Sequence, residues 1–221
     1  MDELSKVISK EKFQELLKDD LSIMVGGFLA VGSPDLLIEG VIDSNIKNIT
    51  LICNDTGFPD KGVGKWIVNK QVKKAVTSHI GTNPESGNQL NKGETIFDLT
   101  PQGTLAEKIR AAGAGLGGIL TPTGIGTIAA EGKEIIKVEG KEYILEESLR
   151  ADIALIKAQK ADKKGNLVYT KAARNFNPIM AFAADTVVVE VEELVEVGDI
   201  DPNNVVTPSV LVDYIVLGVE K

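Results

Sequence analysis

Short apolar runs punctuate the first hundred residues at Ser22–Val25, 49–53, 75–79 and 95–99. Each spans four or five residues, favours Ile, Val and Thr, and gives way to turn-forming residues, the pattern of a buried strand. Two further runs, 153–157 and 186–191, have the β-branched composition of parallel strands covered on both faces. Helix signals fall between the runs. Ser9 caps a short helix with Phe13, Leu16 and Leu17 on one face. Ser33-Pro34-Asp35 opens another: Ser33 accepts from an orphan N–H, Pro34 suits the first helical position, and Asp35 faces the positive dipole end. Thr104-Leu105-Ala106-Glu107 is a capping box, with Arg110 and Gly113 as its stop signals. Ile135–Val138 and 143–145 flank Glu139-Gly140 as a hairpin. Strands alternating with helices predict an α/β fold: a mostly parallel central sheet, helices on both faces, and a small β-hairpin insertion. No internal repeat or linker is evident, so one domain over 1–221 is expected.

Composition narrows the chemistry. Hydrophobic residues make up 43% and charged residues 25%, enough for a substantial core. Twenty-four Lys+Arg against 32 Asp+Glu give a net charge of −8, which disfavours nucleic acid and anionic membranes as partners. One cysteine excludes an internal disulfide, and one histidine beside it leaves no basis for a His/Cys metal site. The first twenty residues are too charged for a signal peptide, and no apolar stretch is long enough to span a bilayer, so a cytoplasmic protein is expected.

Three segments offer chemistry. The strand–glycine loop–helix at 23–37 suits a ligand held beyond a strand's carboxyl end, with the glycines admitting it close to the main chain. It lacks the Gly-Lys-Ser/Thr ending of a phosphate-binding P-loop, and a tight connection with no ligand is the local alternative. Gly113, Gly115 and Gly118, then Gly124, Gly126 and Ala129, match dinucleotide spacing, but they follow a helix and sit in a turn instead of opening a helix after a strand. Gln102, at a helix N-terminus behind Pro101, can donate to a carbonyl oxygen that develops charge, or satisfy a turn carbonyl. His79 reads as structural, Cys53 as a small buried hydrophobe, and the charges of 131–147 as a solvated hairpin face.

The stretch from Asp19 through Ile23-Met24-Val25-Gly26-Gly27-Phe28 to Gly32-x-Pro34 closely resembles the first signature of the family I coenzyme A transferases. It departs at Asp20, where glycine or asparagine is usual. Asn54-Asp55-Thr56, His79 to Pro84, Pro101 to Thr104, Thr121 to Gly124, Lys160-Ala161-Asp162 with Gly165-Asn166, and Ala173-Arg174-Asn175-Phe176-Asn177 are similar to stretches of that family's A (alpha) subunit. The resemblance runs from 11 to 215 and is nearest to the two-subunit enzymes acting on acetate, butyrate and acetoacetate.

That resemblance implies a glutamate nucleophile that attacks an acyl-CoA thioester and then carries CoA as a glutamyl thioester. In the family it lies in a Glu-x-Gly-x-x-Gly motif of the B (beta) subunit. This chain has none, since Leu90 stands where Glu85-Ser86-Gly87 would need its last glycine. A beta partner in an A2B2 or A4B4 hetero-oligomer is therefore expected. The resemblance gives CoA contacts to Gly26, Gly27, Phe28, Leu29, Ala30, Val31 and Gly32, carbonyl polarisation to Gln102, and carboxylate positioning to Asn54. It implies no metal or redox cofactor; the coenzyme A thioester is a substrate. An NAD-type oxidoreductase would need a fingerprint in its proper context. A non-catalytic acyl-CoA or carboxylate binding protein stays open at this point.

Overall fold

Residues 6–218 are described by the structure, a computed structural model. Strand and helix alternate through its first half: α1 (Lys10–Gln14), β1 (Ser22–Val25), α2 (Asp35–Ser44), β2 (Ile49–Ile52), α3 (Gly64–Val68), β3 (Val72–Thr77), α4 (Pro84–Lys92), β4 (Ile96–Leu99) and α5 (Gln102–Gly113). Three antiparallel strands follow, β5 (Gly118–Thr121), β6 (Ile135–Val138) and β7 (Lys141–Glu147). The chain then runs through β8 (Ala151–Asp162), β9 (Leu167–Val168), α6 (Asn177–Ala181), β10 (Ala184–Val195) and β11 (Tyr214–Leu217). The central sheet has the order β11-β10-β8-β1-β2-β3-β4, every neighbouring pair parallel, with β9 antiparallel beside β8.

The apolar runs are continuous because both faces are covered. Ile23, Val25, Leu51, Ala75 and Leu155 pack with Phe13, Leu37, Ile38, Val41 and Trp66 of α1, α2 and α3. Their alternates Met24, Ile52, Val76, Ala154 and Ile156 pack with Leu105, Ile109 and Met180 of α5 and α6. One residue of strand thus feeds one core and the next feeds the other. No helix among the described residues is long and apolar enough to cross a membrane.

Several local expectations are corrected. β3 begins at Val72, three residues before the predicted run, and ends before His79. α3, five residues long, is too short to show a helical period, and α4 carries no strong apolar signal. The buried side of α4 is polar: Ser86 Oγ donates to Thr56 Oγ1 at 2.9 Å, and Gln89 Nε2 to the Ile67 carbonyl at 2.8 Å. The start of α5 lies at Gln102, so Thr104 is inside the first turn and makes no cap bond. Pro101, with its fixed φ, initiates the helix instead. Ser33 does not cap α2 either. A carboxylate of β10 takes that place, for Glu190 Oε2 accepts from the N–H groups of Leu36 at 2.7 Å and Leu37 at 3.4 Å.

The predicted hairpin is the β6–β7 pair of a three-stranded sheet, which β5 completes on the other side of β7. Glu146 of β7, whose side chain is 3% exposed, accepts from Lys108 of α5 at 2.9 Å and from Lys133 at 2.5 Å. Burial alone would push its carboxyl up; the two lysines outweigh that and hold it below the ordinary range. Replacing it leaves two cations facing a buried gap. Glu146→Ala should lower unfolding stability by about 2 kcal/mol, less than for a fully buried pair because Lys133 reaches water. The folded-state value lies below the unfolded one, so the wild-type advantage is present above about pH 4.3 and disappears as acid titrates the folded carboxyl. Urea midpoints of both proteins across pH 3 to 7 should converge at the acid end (about one carboxyl's titration range).

Candidate functional site

From β1 the chain moves to β2, β3 and β4 on one side, while β8 leads to β10 and β11 on the other. Strand order therefore reverses between β1 and β8, and loops leaving two such strands diverge to form a crevice at their carboxyl ends. The glycine loop leaves β1 at that point. Gly26 N–H donates to the Leu155 carbonyl of β8 at 2.9 Å. Two residues further along β8, Lys157 N–H donates to Asn177 Oδ1, also at 2.9 Å.

Asn177 accounts for the first glycine. A Cβ on Gly26 would lie 1.8 Å from Asn177 Oδ1, one on Gly27 2.5 Å from Ser33 Oγ, and one on Gly32 2.6 Å from the Ala173 carbonyl. The room these glycines leave on the Cβ side is filled by the chain itself. The loop exposes its tip instead: Phe28, Leu29 and Val31 are 41%, 39% and 50% exposed, with Ala30 half-buried between them.

Two asparagines clamp the loop. Asn177 Nδ2 donates to the carbonyls of Gly32 at 3.0 Å and Ala173 at 2.8 Å. Asn175 Oδ1 accepts from Gly27 N–H at 3.1 Å, and its Nδ2 donates to the Val31 carbonyl at 2.9 Å. Sequence reasoning placed both residues only inside a family-like stretch. Their partners in the glycine loop lie 144 to 148 residues away, beyond any local pattern.

The tip itself is a two-residue hairpin turn. Phe28 and Val31 exchange N–H···O bonds of 3.1 and 2.9 Å, with Leu29 (φ 48°) and Ala30 (φ 65°) both left-handed. A second turn of the same outline follows the neighbouring strand. Phe58 and Lys61 exchange bonds of 3.4 and 3.2 Å around Pro59-Asp60, between Gly57 and Gly62. Both read Gly-Phe-x-x-x-Gly, 27–32 and 57–62, so a short repeat is present after all. Six residues with only three fixed identities are too few to stand out from sequence alone. The turns lie side by side: a Cβ on Gly62 would be 3.7 Å from Ala30 Cβ.

Asn54 sits beneath the loop, 3% exposed. Its Nδ2 donates to Asp55 Oδ2 at 2.8 Å, and its Oδ1 accepts from Ser78 Oγ at 3.3 Å. The amide oxygen and one N–H of Nδ2 are thus engaged inside the protein. Cys53 is buried, and burial together with Asp55 pushes its thiol far above the ordinary range, as suits a small hydrophobe. His79 is exposed, its main chain pairing beside Asp55.

Gln102 stands apart from this cluster. It is the first residue of α5, just past β4, exposed, and its amide has no hydrogen-bond partner among the described residues. The loop and Gln102 share the carboxyl edge of the sheet but lie three strands apart, about 14 Å at the usual strand spacing.

Beside the twin turns runs an open groove of about 1270 Å³, flanked by Leu29, Val31, Phe58 and Lys61 on one side and by Lys157 and Glu190 on the other. Its three glutamates are committed, while the exposed Asp35 and Asp60 also line it. Glu190 meets Lys157 at 3.3 Å and the amides of α2; Glu192 meets Lys157 at 3.4 Å; Glu39 pairs with Lys65. Burial raises the Glu190 carboxyl above its usual range despite Lys157 and the α2 amides. An anion thus already occupies the α2 N-terminus, where a phosphate would otherwise be expected.

Residues 7–218 match the family model described as Coenzyme A transferase. The chain is 49% identical over 217 residues to the acetate CoA-transferase subunit alpha of Escherichia coli K12, covering 98% of this chain and 99% of that one. It is 50% identical over 212 residues to the acetoacetyl-CoA:acetate/butyrate CoA transferase alpha subunit of Clostridium acetobutylicum, covering 96% and 97%. Among solved structures it superposes on an acyl-CoA transferase of Escherichia coli O157:H7 in a thioester complex with CoA, with a TM-score of 0.87, 23% identity and 97% of this chain covered. This chain spans about half of that one, 47%. Glutaconate coenzyme A-transferase of Acidaminococcus fermentans gives a TM-score of 0.83 at 19% identity, with 96% of this chain and 75% of that one covered. On the family match and the full-length identities together, the chain belongs to the coenzyme A transferase family.

Proposed function

We propose that this chain is the alpha subunit of a two-subunit cytoplasmic CoA-transferase. It moves CoA between short-chain acyl-CoA, acetyl- or butyryl-CoA, and a carboxylic acid such as acetoacetate. The observation that carries this reading is the near-complete likeness, at 49% and 50% identity, to two transferase alpha subunits named for acetate and for acetate/butyrate. A beta subunit supplies the nucleophilic glutamate, in an A2B2 or A4B4 assembly, and residues 1–221 act as one domain within it.

The groove's own glutamates support a nucleophile from elsewhere. Glu190 is tied to α2 and Lys157, and Glu39 and Glu192 are ion-paired. None of these three glutamates is a free carboxylate; the groove's other acids are the exposed aspartates Asp35 and Asp60. On this reading the partner's glutamate attacks the thioester carbonyl, giving an acyl-glutamyl anhydride and CoA thiolate. The thiolate then attacks the glutamyl carbonyl, releasing the acid and leaving a glutamyl-CoA thioester, which the acceptor carboxylate reverses. Coenzyme A enters as substrate, and the sequence of steps calls for no other cofactor.

The alpha chain's part is to bind and polarise. Residues 26–32 hold the acyl-CoA, with exposed Phe28, Leu29 and Val31 giving apolar contact to the pantetheine arm. The free amide of Gln102 donates to the thioester oxygen as charge develops there. An extended CoA ester bridges the two regions, which fits their separation along the sheet edge. Asn54 acts from beneath, through Asp55.

Co-expression with a candidate beta subunit, assayed with acetyl-CoA and acetoacetate or butyrate, tests the reading. Activity is expected in the mixture and in neither subunit alone; robust activity of this chain by itself would overturn it. In the assembled enzyme Gln102→Ala should reduce kcat about tenfold to a hundredfold with assembly intact by gel filtration, the loss expected for one oxyanion donor. Unchanged turnover would remove Gln102 from the catalytic groups.

A further inference from the structure

The turn at 28–31 is built against its own preferences. A hairpin turn with both central residues at positive φ ordinarily uses Asn-Gly, because a Cβ is strained there. Leu29 and Ala30 occupy those positions here. The sister turn needs no such strain, since Pro59 and Asp60 do not take positive φ. A strained conformation persists only where its surroundings over-determine it.

Asp55 provides that restraint. It is 6% exposed, and its Oδ2 accepts from Leu29 N–H, the first strained residue, at 2.8 Å. Its Oδ1 accepts from Gly57 N–H, where the sister turn begins, at 3.0 Å. Asn54 Nδ2 donates to Oδ2 and fixes the carboxylate from below. One buried carboxylate therefore bonds a main-chain N–H in the first turn and one at the start of the second, and sets Leu29 and Val31 relative to Phe58 and Lys61 along one side of the groove.

We infer that Asp55 is a positioning residue for the acyl-CoA site, holding the strained Leu29–Ala30 turn against the second turn so that this lip is formed before ligand arrives. The inference rests on the transferase reading for its substrate. Its mechanical content does not.

Amide hydrogen exchange on the full chain tests that content without substrate or partner. Asp55→Ala should speed exchange of the Leu29 amide at least tenfold while the amides of Ile23 and Leu51 stay within twofold of wild type. In the assembled enzyme the same change should raise KM for the acyl-CoA donor about tenfold, with kcat and KM for the acceptor acid within threefold. Glycine adopts positive φ without strain, so Ala30→Gly should act as a rescue. In the Ala30→Gly background, Asp55→Ala should raise that KM less than threefold. If Asp55→Ala does not fold, Asp55→Asn, which keeps one acceptor oxygen, should still speed Leu29 exchange at least threefold. A Leu29 exchange rate unchanged in the variant that folds would overturn the role of Asp55, as would an equal KM rise in both backgrounds. An inactive wild-type assembly would overturn the transferase reading instead.

Discussion

Asn177 can close on β1 only because Gly26 has no Cβ, and the rest of the site depends on that approach. The amide reaches Lys157 N–H on β8, then Gly32 and Ala173 on the far side of the glycine loop. It spans the point where strand order reverses, the one place on a parallel sheet where two neighbouring loops must separate. Without that bridge the crevice would have two independent edges. With it, the loop after β1 and the segment before α6 form one wall. Even an alanine at 26 would put a carbon on top of a buried amide oxygen.

The fold was legible where burial is simple. β1 and β6 fall at the expected residues, and both faces of the sheet are covered as the unbroken apolar runs imply. Legibility failed where burial is polar or distant. The buried side of α4 consists of Ser86 and Gln89, each bonded to another element, so no apolar period marks the helix. The cap of α2 comes from Glu190, more than 150 residues away, and displaces the locally plausible Ser33. Lys73 and Lys74 hide the start of β3 because their exposed or half-buried side chains break the apolar run.

The site shows the same division. The glycine loop, Asn54 and Gln102 were all visible as motifs, yet motifs do not say which groups are already engaged. Asn54 is bonded to Asp55 and Ser78; the Gln102 amide has no partner among the described residues and stands on a different strand's end. Asp55, Asn175 and Asn177 hold the loop, yet in sequence they stand out only as members of family-like stretches. Asx side chains are favoured in turns for local reasons, and here that local preference masks long-range bonds.

Glu190 has a consequence for how this surface meets charge. By lying across the first amides of α2 it completes the helix electrically from within, as a bound phosphate would from without. The chain thus places one of its own carboxylates where many sheet proteins keep an unfilled socket. A polyanion arriving here meets a dipole already quenched and a groove whose acids and bases are mostly matched to one another. On the transferase reading, a beta subunit supplies much of the charge that answers it, which gives assembly an electrostatic role beside its geometric one.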